Sequence, residues 1–146
     1  MGAPQLNFLT LACRDIEREA HFLRALGWAE SPESEPVHRL FQGTNGIVVA
    51  LYGAASYEKH FGPRADGFRG FTLGLNLAAP EDVDRVYEQL QGTEGAELLE
   101  EPFDSPHGFR GFSFRDPEGN IWDVAWQRGS TVSADGDLVW AGSEPE

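Results

Sequence analysis

Apolar and polar positions alternate in two stretches of the chain, residues 6–13 (LNFLTLAC) and residues 71–77 (FTLGLNL). An alternation with a period of two predicts a β-strand with two unlike faces. Each stretch is followed by apolar residues at helical spacing, in residues 16–26 and 83–90. Asp15 is a suitable N-cap for the first helix, and Pro80 with the two acids after it is typical of a first helical turn. Both halves of the chain are therefore predicted to begin with a strand and a helix.

Shorter extended segments follow each helix. In the first half they are residues 28–30, 37–42 and 47–52, and in the second half residues 96–99, 112–115 and 120–126. The order strand, helix and three strands thus recurs with a period of about 65 residues, which indicates an internal duplication. We predict a single domain over residues 1–128, built from modules at about 5–53 and 70–128. A polar linker, residues 54–69, joins the modules, and residues 129–146 form a tail.

The last two segments are joined by the sequence DPEG (residues 116–119), which is typical of a tight turn between antiparallel strands. The residues that follow, 121–126 (IWDVAW), alternate between a bulky face with two tryptophans and a smaller face that carries Asp123. We assign the bulky face to the core. Asp123 is the residue that we expect to be connected with function. The structural alternative is that its carboxylate accepts hydrogen bonds from neighbouring Thr or Asn side chains.

Composition and charge indicate what kind of protein this is and which partners it can bind. With 146 residues, 40% of them hydrophobic, the chain can bury a core without disulfides, and a single cysteine, Cys13, excludes an internal one. The net charge of −13 repels phosphate and predicts no nucleic-acid partner, whereas a cationic or neutral small molecule is compatible with it. No apolar run reaches the roughly 20 residues of a membrane span, and the N-terminus lacks a secretory pattern. We therefore expect no membrane association and a cytoplasmic location.

Three stretches together resemble a known superfamily: residues 9–28 (LTLACRDIEREAHFLRALGW), 81–90 (EDVDRVYEQL) and 116–126 (DPEGNIWDVAW). They are similar to the vicinal oxygen chelate superfamily, which includes glyoxalase I, extradiol dioxygenases, fosfomycin-resistance transferases and bleomycin-resistance proteins. The resemblance covers residues 5–128. It implies an α+β fold in which two βαβββ modules form a U-shaped mixed sheet around a cavity, and it implies a homodimer.

Enzymes of this superfamily commonly hold a divalent metal with four side chains, from the first and last strands of each module. In this sequence the resemblance puts those positions on Phe8, approximately Ala50, Thr72 and Asp123. Phenylalanine and alanine have no donor atom for Mn²⁺, Fe²⁺, Ni²⁺ or Zn²⁺. We therefore expect no metal cofactor, and a divalent metal in an atypical site is the alternative.

The resemblance and the strand alternation together predict the residues that line the cavity. The smaller strand faces would point inward and form an apolar and aromatic lining with a few polar groups, made by Phe8, Thr10, Tyr52, Thr72, Asn76 and Asp123. His107 lies in the loop 105–111 (SPHGFRG), which we expect to reach the mouth of the cavity and contact the ligand. Arg110, in the same loop, is expected to pair with surface acids.

Two functions are compatible with these features. The first is a metal-independent protein that binds a small organic ligand, cationic or aromatic, as bleomycin-resistance proteins do, with Asp123 as counter-charge. The second is a glyoxalase-like lyase or isomerase, or a dioxygenase, in which Asp123 is catalytic as a general base or belongs to an atypical metal site. The apolar cluster Leu138-Val139-Trp140 in the tail is expected to dock on the domain or on a partner subunit.

Overall fold

In the computed structural model, which describes residues 2–43 and 45–140, the chain divides after Asp66 into two units that each contain a mixed sheet. The first unit comprises β1 (Phe8–Cys13), α1 (Ile16–Ala25), β2 (Ala29–Glu30), β3 (His38–Gln42), β4 (Val48–Gly53) and α2 (Ala54–Phe61). The second comprises β5 (Leu73–Asn76), α3 (Pro80–Gln91), β6 (Glu97–Leu98), β7 (Phe103–Asp104), β8 (Phe109–Arg115), β9 (Ile121–Gln127), β10 (Thr131–Val132) and β11 (Leu138–Val139). The predicted α+β class is confirmed. Within the described ranges, no helix is long and apolar enough to cross a membrane.

The main sheets of the two units share one strand arrangement. In the first unit the order is β1-β4-β3-β2, with β1 parallel to β4 and the other pairs antiparallel. In the second unit the order is β5-β9-β8-β6, with β5 parallel to β9, and the short β7 also pairs with β8. The first strand of each main sheet therefore lies beside its last strand, so Asp123 on β9 stands opposite Gly74 on β5.

Helix α1 packs its apolar face against the first sheet. Asp15 caps the helix by accepting the Arg18 backbone N–H at 3.1 Å, and Gly27, with a φ of 97°, follows its last turn. Fully buried side chains of the helix and the sheet form the core of this unit: Ala20, Phe22, Leu23, Phe41, Val49 and Leu51. Burial of each large apolar side chain contributes about 1.5–3 kcal/mol, so this contact stabilises the unit far more than the cap does.

The core of the second unit lies between α3 and the bulky face of β8 and β9. Tyr87 of the helix meets Phe112 edge-on, with ring centroids 5.2 Å apart. Phe114 and Trp122 stack with their centroids 5.9 Å apart, and both are buried. The tryptophan-bearing face of β9 therefore packs in the core as the alternation predicts, and the opposite face of the strand carries Asp123.

Three segments contain secondary structure that the sequence did not predict. The first is the short strand β7, which lies between the predicted extended segments 96–99 and 112–115. Helix α2 occupies the first half of the predicted linker, where Gly53 and Gly62 flank it. None of its residues is fully buried, although Ala54, Tyr57 and Phe61 are spaced as on one face of a helix. In the tail, β10 and β11 form a two-stranded hairpin. Its second strand contains Leu138 and Val139 of the apolar tail cluster, and Leu138, Val139 and Trp140 are 42–50% exposed. Docking of this cluster on a partner subunit stays a prediction.

Candidate functional site

The turn before β9 is fixed by one buried carboxylate. Asp116 is only 4% exposed, and its two oxygens accept four hydrogen bonds. The Oδ1 atom accepts the backbone N–H groups of Glu118 at 3.0 Å and Asn120 at 2.9 Å. The Oδ2 atom accepts the Asn120 side-chain amide and the Trp122 indole N–H, both at 2.9 Å. The bond to Trp122 ties the turn to the core side of β9, which sets the register of the hairpin.

On the opposite face of β9, Asp123 is held between two hydroxyl groups. The Ser113 hydroxyl on β8 donates to Oδ1 at 2.6 Å, and the Thr72 hydroxyl, just before β5, donates to Oδ2 at 2.9 Å. Ser113 is the direct antiparallel partner of Asp123 in the β8–β9 ladder. Asp123 is half-buried and Thr72 is exposed, so the carboxylate is oriented by the protein and still reachable from solvent.

Small residues surround this carboxylate on the sheet. Gly74 stands opposite Asp123, and a Cβ placed there would meet no atom closer than Asn76 Nδ2, at 3.8 Å. In the next row, Asn76, Ala125 and Gly111 are paired across the three strands. A Cβ on Gly111 would lie 2.5 Å from the Val124 carbonyl oxygen, so only glycine fits at that position. Paired residues share a face of the sheet. The side chains of these pairs next to Asp123 are therefore small, and they leave space beside its carboxylate.

An apolar depression begins two residues before Asp123 on the same strand. It encloses about 10 Å³, roughly the space of one water molecule, and its lining includes Ile121, Phe68 and Phe71. The Arg69 guanidinium also lines it and donates to the Glu118 carbonyl at 3.2 Å and to Asn120 Oδ1 at 3.3 Å. Phe68 and Phe71 are 67% and 49% exposed, so they offer aromatic surface next to the depression.

Three of the predicted site residues lie in the first unit. Phe8 is 49% exposed, and Thr10 and Tyr52 are half-buried on strands β1 and β4. Tyr52 packs between two imidazoles, with ring centroids 5.1 Å from His38 and 6.0 Å from His60. The two histidines thus contact an aromatic side chain that the sequence predicted for the cavity lining. Ligand contact by Phe8, Thr10 and Tyr52 stays a prediction.

The loop before β8 holds the remaining predicted site residue, His107, which is exposed. Its backbone N–H donates to Ser105 Oγ at 3.0 Å, and its carbonyl accepts the Gln127 side-chain amide at 3.4 Å. Gln127 ends β9, four residues beyond Asp123, which corresponds to about 13 Å along a strand. A ligand that contacted both Asp123 and His107 would therefore have to extend along β9.

Arg110 in the same region is engaged with acids, as the sequence predicted. Its guanidinium forms a forked pair with Asp84 of α3, at 2.8 and 3.2 Å, and a further bond with Asp104 at 3.2 Å. The hydrogen bond from Arg110 holds the pKa of Asp84 below its usual range, and the pKa of Arg110 is raised in turn. The geometry links α3 to the sheet and gives Arg110 a structural role.

The four positions that the resemblance implies for a metal do not fit one. Phe8 and Ala50 have no donor atom, and the Thr72 hydroxyl donates its proton to Asp123. One carboxylate remains, whereas metal sites of this type need several imidazole or carboxylate ligands. Within residues 2–43 and 45–140, no group of three or more His, Cys, Asp or Glu side chains lies close enough together to hold a metal ion. Of the four implied positions, Asp123 alone therefore carries a side chain that ligates divalent metals in the usual way.

Sequence reasoning missed two residues of the Asp123 site. Ser113 supplies the shorter of the two hydrogen bonds, and Gly74 supplies the open space opposite the carboxylate. Both follow from strand register, because a residue's partners across a ladder are set by the turn and by the pairing of neighbouring strands. Counting back across a four-residue DPEG turn would pair Ser113 with Trp122. The observed partner is Asp123, because Asn120 also belongs to the turn, where its carbonyl accepts the Asp116 backbone N–H.

Comparison with known proteins agrees with this fold. The family model described as Glyoxalase/Bleomycin resistance protein/Dioxygenase superfamily matches residues 5–124. A glyoxalase-related enzyme from Fulvimarina pelagi is 28% identical, with a TM-score of 0.83, over 96% of this chain and 100% of that chain. A glyoxalase/bleomycin resistance protein/dioxygenase from Nocardioides is 26% identical, with a TM-score of 0.73, over 91% of this chain and 90% of that chain.

More distant similarity shows the fold alone. A lactoylglutathione lyase from Agrobacterium tumefaciens is 17% identical, with a TM-score of 0.63, over 86% of this chain and 96% of that chain. No curated protein matches the sequence. Since the family model covers most of the chain and the structure has the repeated strand, helix and strand order, the chain belongs to the Glyoxalase/Bleomycin resistance protein/Dioxygenase superfamily.

Proposed function

We propose that this superfamily member binds a small organic cation with an apolar or aromatic body at the Asp123 face, independently of a metal, and holds the ligand without transforming it. One observation carries the proposal: the Asp123 carboxylate is accessible, yet it is oriented by two hydroxyl groups instead of standing among metal ligands. A carboxylate held in this way is a ready counter-charge for a cation. The ligand's body has apolar surface to contact nearby, at Ile121, Phe68 and Phe71.

The energetic argument rests on charge and on apolar contact. Hydrogen bonds to a charged group stabilise by about 1.5–3 kcal/mol, and apolar area adds about 25 cal/mol per Å² that is removed from water. A net charge of −13 also attracts cations from a distance and disfavours anions. The site therefore combines apolar surface with a few convergent polar groups, which is the usual constitution of a small-molecule site.

An enzyme is the second candidate, because the Fulvimarina pelagi protein at 28% identity is described as a glyoxalase-related enzyme. In that case this chain would be a glyoxalase-like lyase or isomerase, or a dioxygenase, and Asp123 would act as a general base or as part of an atypical metal site. The same carboxylate thus carries both candidate functions. They differ in whether the bound compound is recovered unchanged.

Thermal unfolding with three probes that share one ring tests the proposal. Benzylammonium and benzyltrimethylammonium should raise the melting temperature, whereas benzoate should not, because its charge is repelled at Asp123. A ligand at roughly 20 times its Kd adds about 1.8 kcal/mol of stability, or about 5 °C for a chain of this size. Mass spectrometry should recover both cations unchanged.

Two outcomes contradict the proposal. Equal shifts with benzoate and with the cations would show that charge at Asp123 does not select the ligand. No shift with either cation at concentrations well above 1 mM, roughly the affinity expected of such small probes, would remove the cationic ligand from consideration.

Two further predictions concern the oligomeric state and the cellular location of the protein. We retain a homodimer as the expected assembly, supported by the exposed apolar cluster Leu138-Val139-Trp140. We also retain the cytoplasmic location, on the sequence features given above. Ligand binding at Asp123 as proposed requires neither a nucleic acid nor a membrane as partner.

A further inference from the structure

We propose that Ser113 and Thr72 make the Asp123 site selective for cations that carry N–H groups, such as a primary ammonium, over cations that carry none. The inference rests on the proposed function, since it names the ligand class of the same site. It starts from the two hydroxyl contacts, at 2.6 Å to Oδ1 and 2.9 Å to Oδ2.

The direction of these hydrogen bonds follows from the chemistry of the groups. A carboxylate has no proton to give, so each hydroxyl must be the donor. Ser113 and Thr72 have one hydroxyl proton each, and both protons are committed to Asp123. A ligand that arrives at this group of three side chains therefore finds no hydroxyl proton available to it.

Unused lone pairs are what the three side chains can still offer. The carboxylate has about four acceptor positions, of which the hydroxyls occupy two, and each hydroxyl oxygen keeps acceptor capacity of its own. A carboxylate, phosphate or carbonyl ligand would face only acceptors there. A cation with N–H groups can instead form charge-assisted hydrogen bonds, which are about twice as strong as neutral ones.

The neighbouring side chain does not reverse this preference. Asn76 is the polar residue next to Gly74, and its amide carries both donors and an acceptor, so it accommodates either kind of ligand. The open space at Gly74 lies beside Asp123 on the same face and leaves room for a ligand head group. Two cationic groups beside Ile121 have acceptors of their own: Arg69 donates to the Glu118 carbonyl and to Asn120 Oδ1, and Arg115 donates to Glu97. The carboxylate and the two hydroxyls therefore supply the lone pairs on which the proposed selectivity rests.

An NMR titration of the full-length, ¹⁵N-labelled chain tests the inference with benzylammonium and benzyltrimethylammonium. The two probes share a ring and a charge, but only the first has N–H groups. We expect the Kd of benzylammonium to be lower by at least about tenfold, the value of one charge-assisted hydrogen bond at the lower end of its range. Ser113→Ala and Thr72→Val should each reduce this ratio about three- to tenfold, through weaker benzylammonium binding.

Thr131→Val is the matched control, because Thr131 is an exposed strand residue in the C-terminal hairpin. It should leave both affinities unchanged. Equal Kd values of the two cations for the unmodified protein would overturn the inference and leave the proposed function standing, since both cations would still bind. A selectivity ratio that survives both hydroxyl substitutions would also overturn it. Failure of both cations to bind would instead count against the proposed function.

Discussion

Asp116→Asn is expected to lower the free energy of unfolding by about 3 kcal/mol, although it changes only one atom of the side chain. Three of the four groups that contact the carboxylate are donors that cannot become acceptors: two backbone N–H groups on Oδ1 and the Trp122 indole N–H on Oδ2. The fourth is the Asn120 amide, whose own oxygen accepts a hydrogen bond from Arg69. In either orientation the asparagine NH₂ must therefore face at least one of these N–H groups, donor against donor. Thermal or urea unfolding measures the loss, which corresponds to about 10 °C in the melting temperature.

Two further variants serve as comparisons for Asp116→Asn. Asp116→Ala leaves the same buried donors without an acceptor and should be at least as destabilising as the asparagine variant. Asp135→Asn, at an exposed position in the C-terminal turn, removes the same charge and should stay within about 0.5 kcal/mol of the wild type. Wild-type stability in Asp116→Asn would mean that the four hydrogen bonds do not hold the β8–β9 hairpin.

Asp123→Asn should have the opposite profile, with a large effect on ligand binding and a small one on stability. Hydroxyl groups can both donate and accept, so Ser113 and Thr72 can rotate to satisfy the asparagine amide. The melting temperature without ligand should therefore change by no more than about 2 °C. Benzylammonium should bind at least about tenfold more weakly, because its N–H groups then meet a neutral amide instead of a charged carboxylate.

The control is again Asp135→Asn, which removes one negative charge from the chain at an exposed turn residue of the C-terminal hairpin. It should bind benzylammonium like the wild type and so separate the local carboxylate from the net charge of −13. Wild-type affinity for benzylammonium in Asp123→Asn would contradict this prediction. Asp123 would then be a structural residue that only accepts hydrogen bonds from its neighbours, the alternative stated in the sequence analysis.

Much of the fold could be predicted from the sequence because its main elements bury one face. The alternation in residues 6–13 and 71–77, the cap at Asp15 and the turn at DPEG all have local causes, and the structure contains each of these elements. Helix α2 could not be predicted in this way. Its apolar positions, Ala54, Tyr57 and Phe61, fall within only eight residues, none of its residues is fully buried, and its polar surroundings resembled a linker.

For the site, the sequence identified Asp123 and predicted Thr72 and Asn76 in the same lining, but it did not identify Ser113 as a hydrogen-bond partner of Asp123. The alternation of β9 places Asp123 opposite the tryptophan face, and this follows from the sequence alone. The contact with Thr72 depends on the parallel pairing of β5 with β9, which joins residues 51 positions apart. Such a contact is set by tertiary structure. From the sequence, Asp123 could be either a functional or a structural carboxylate. In the structure it accepts two hydrogen bonds from hydroxyl groups and is still accessible to solvent.

The central claim is metal-independent binding of an organic cation at Asp123, and one titration tests it most directly. The Kd of benzylammonium would be measured by NMR before and after dialysis of the protein against EDTA, with the metal content of both samples determined by mass spectrometry. We predict Kd values that agree within about twofold and metal well below one ion per chain in both samples. Binding that disappears with EDTA and returns on addition of Mn²⁺, Fe²⁺, Ni²⁺, Co²⁺ or Zn²⁺ would contradict the claim.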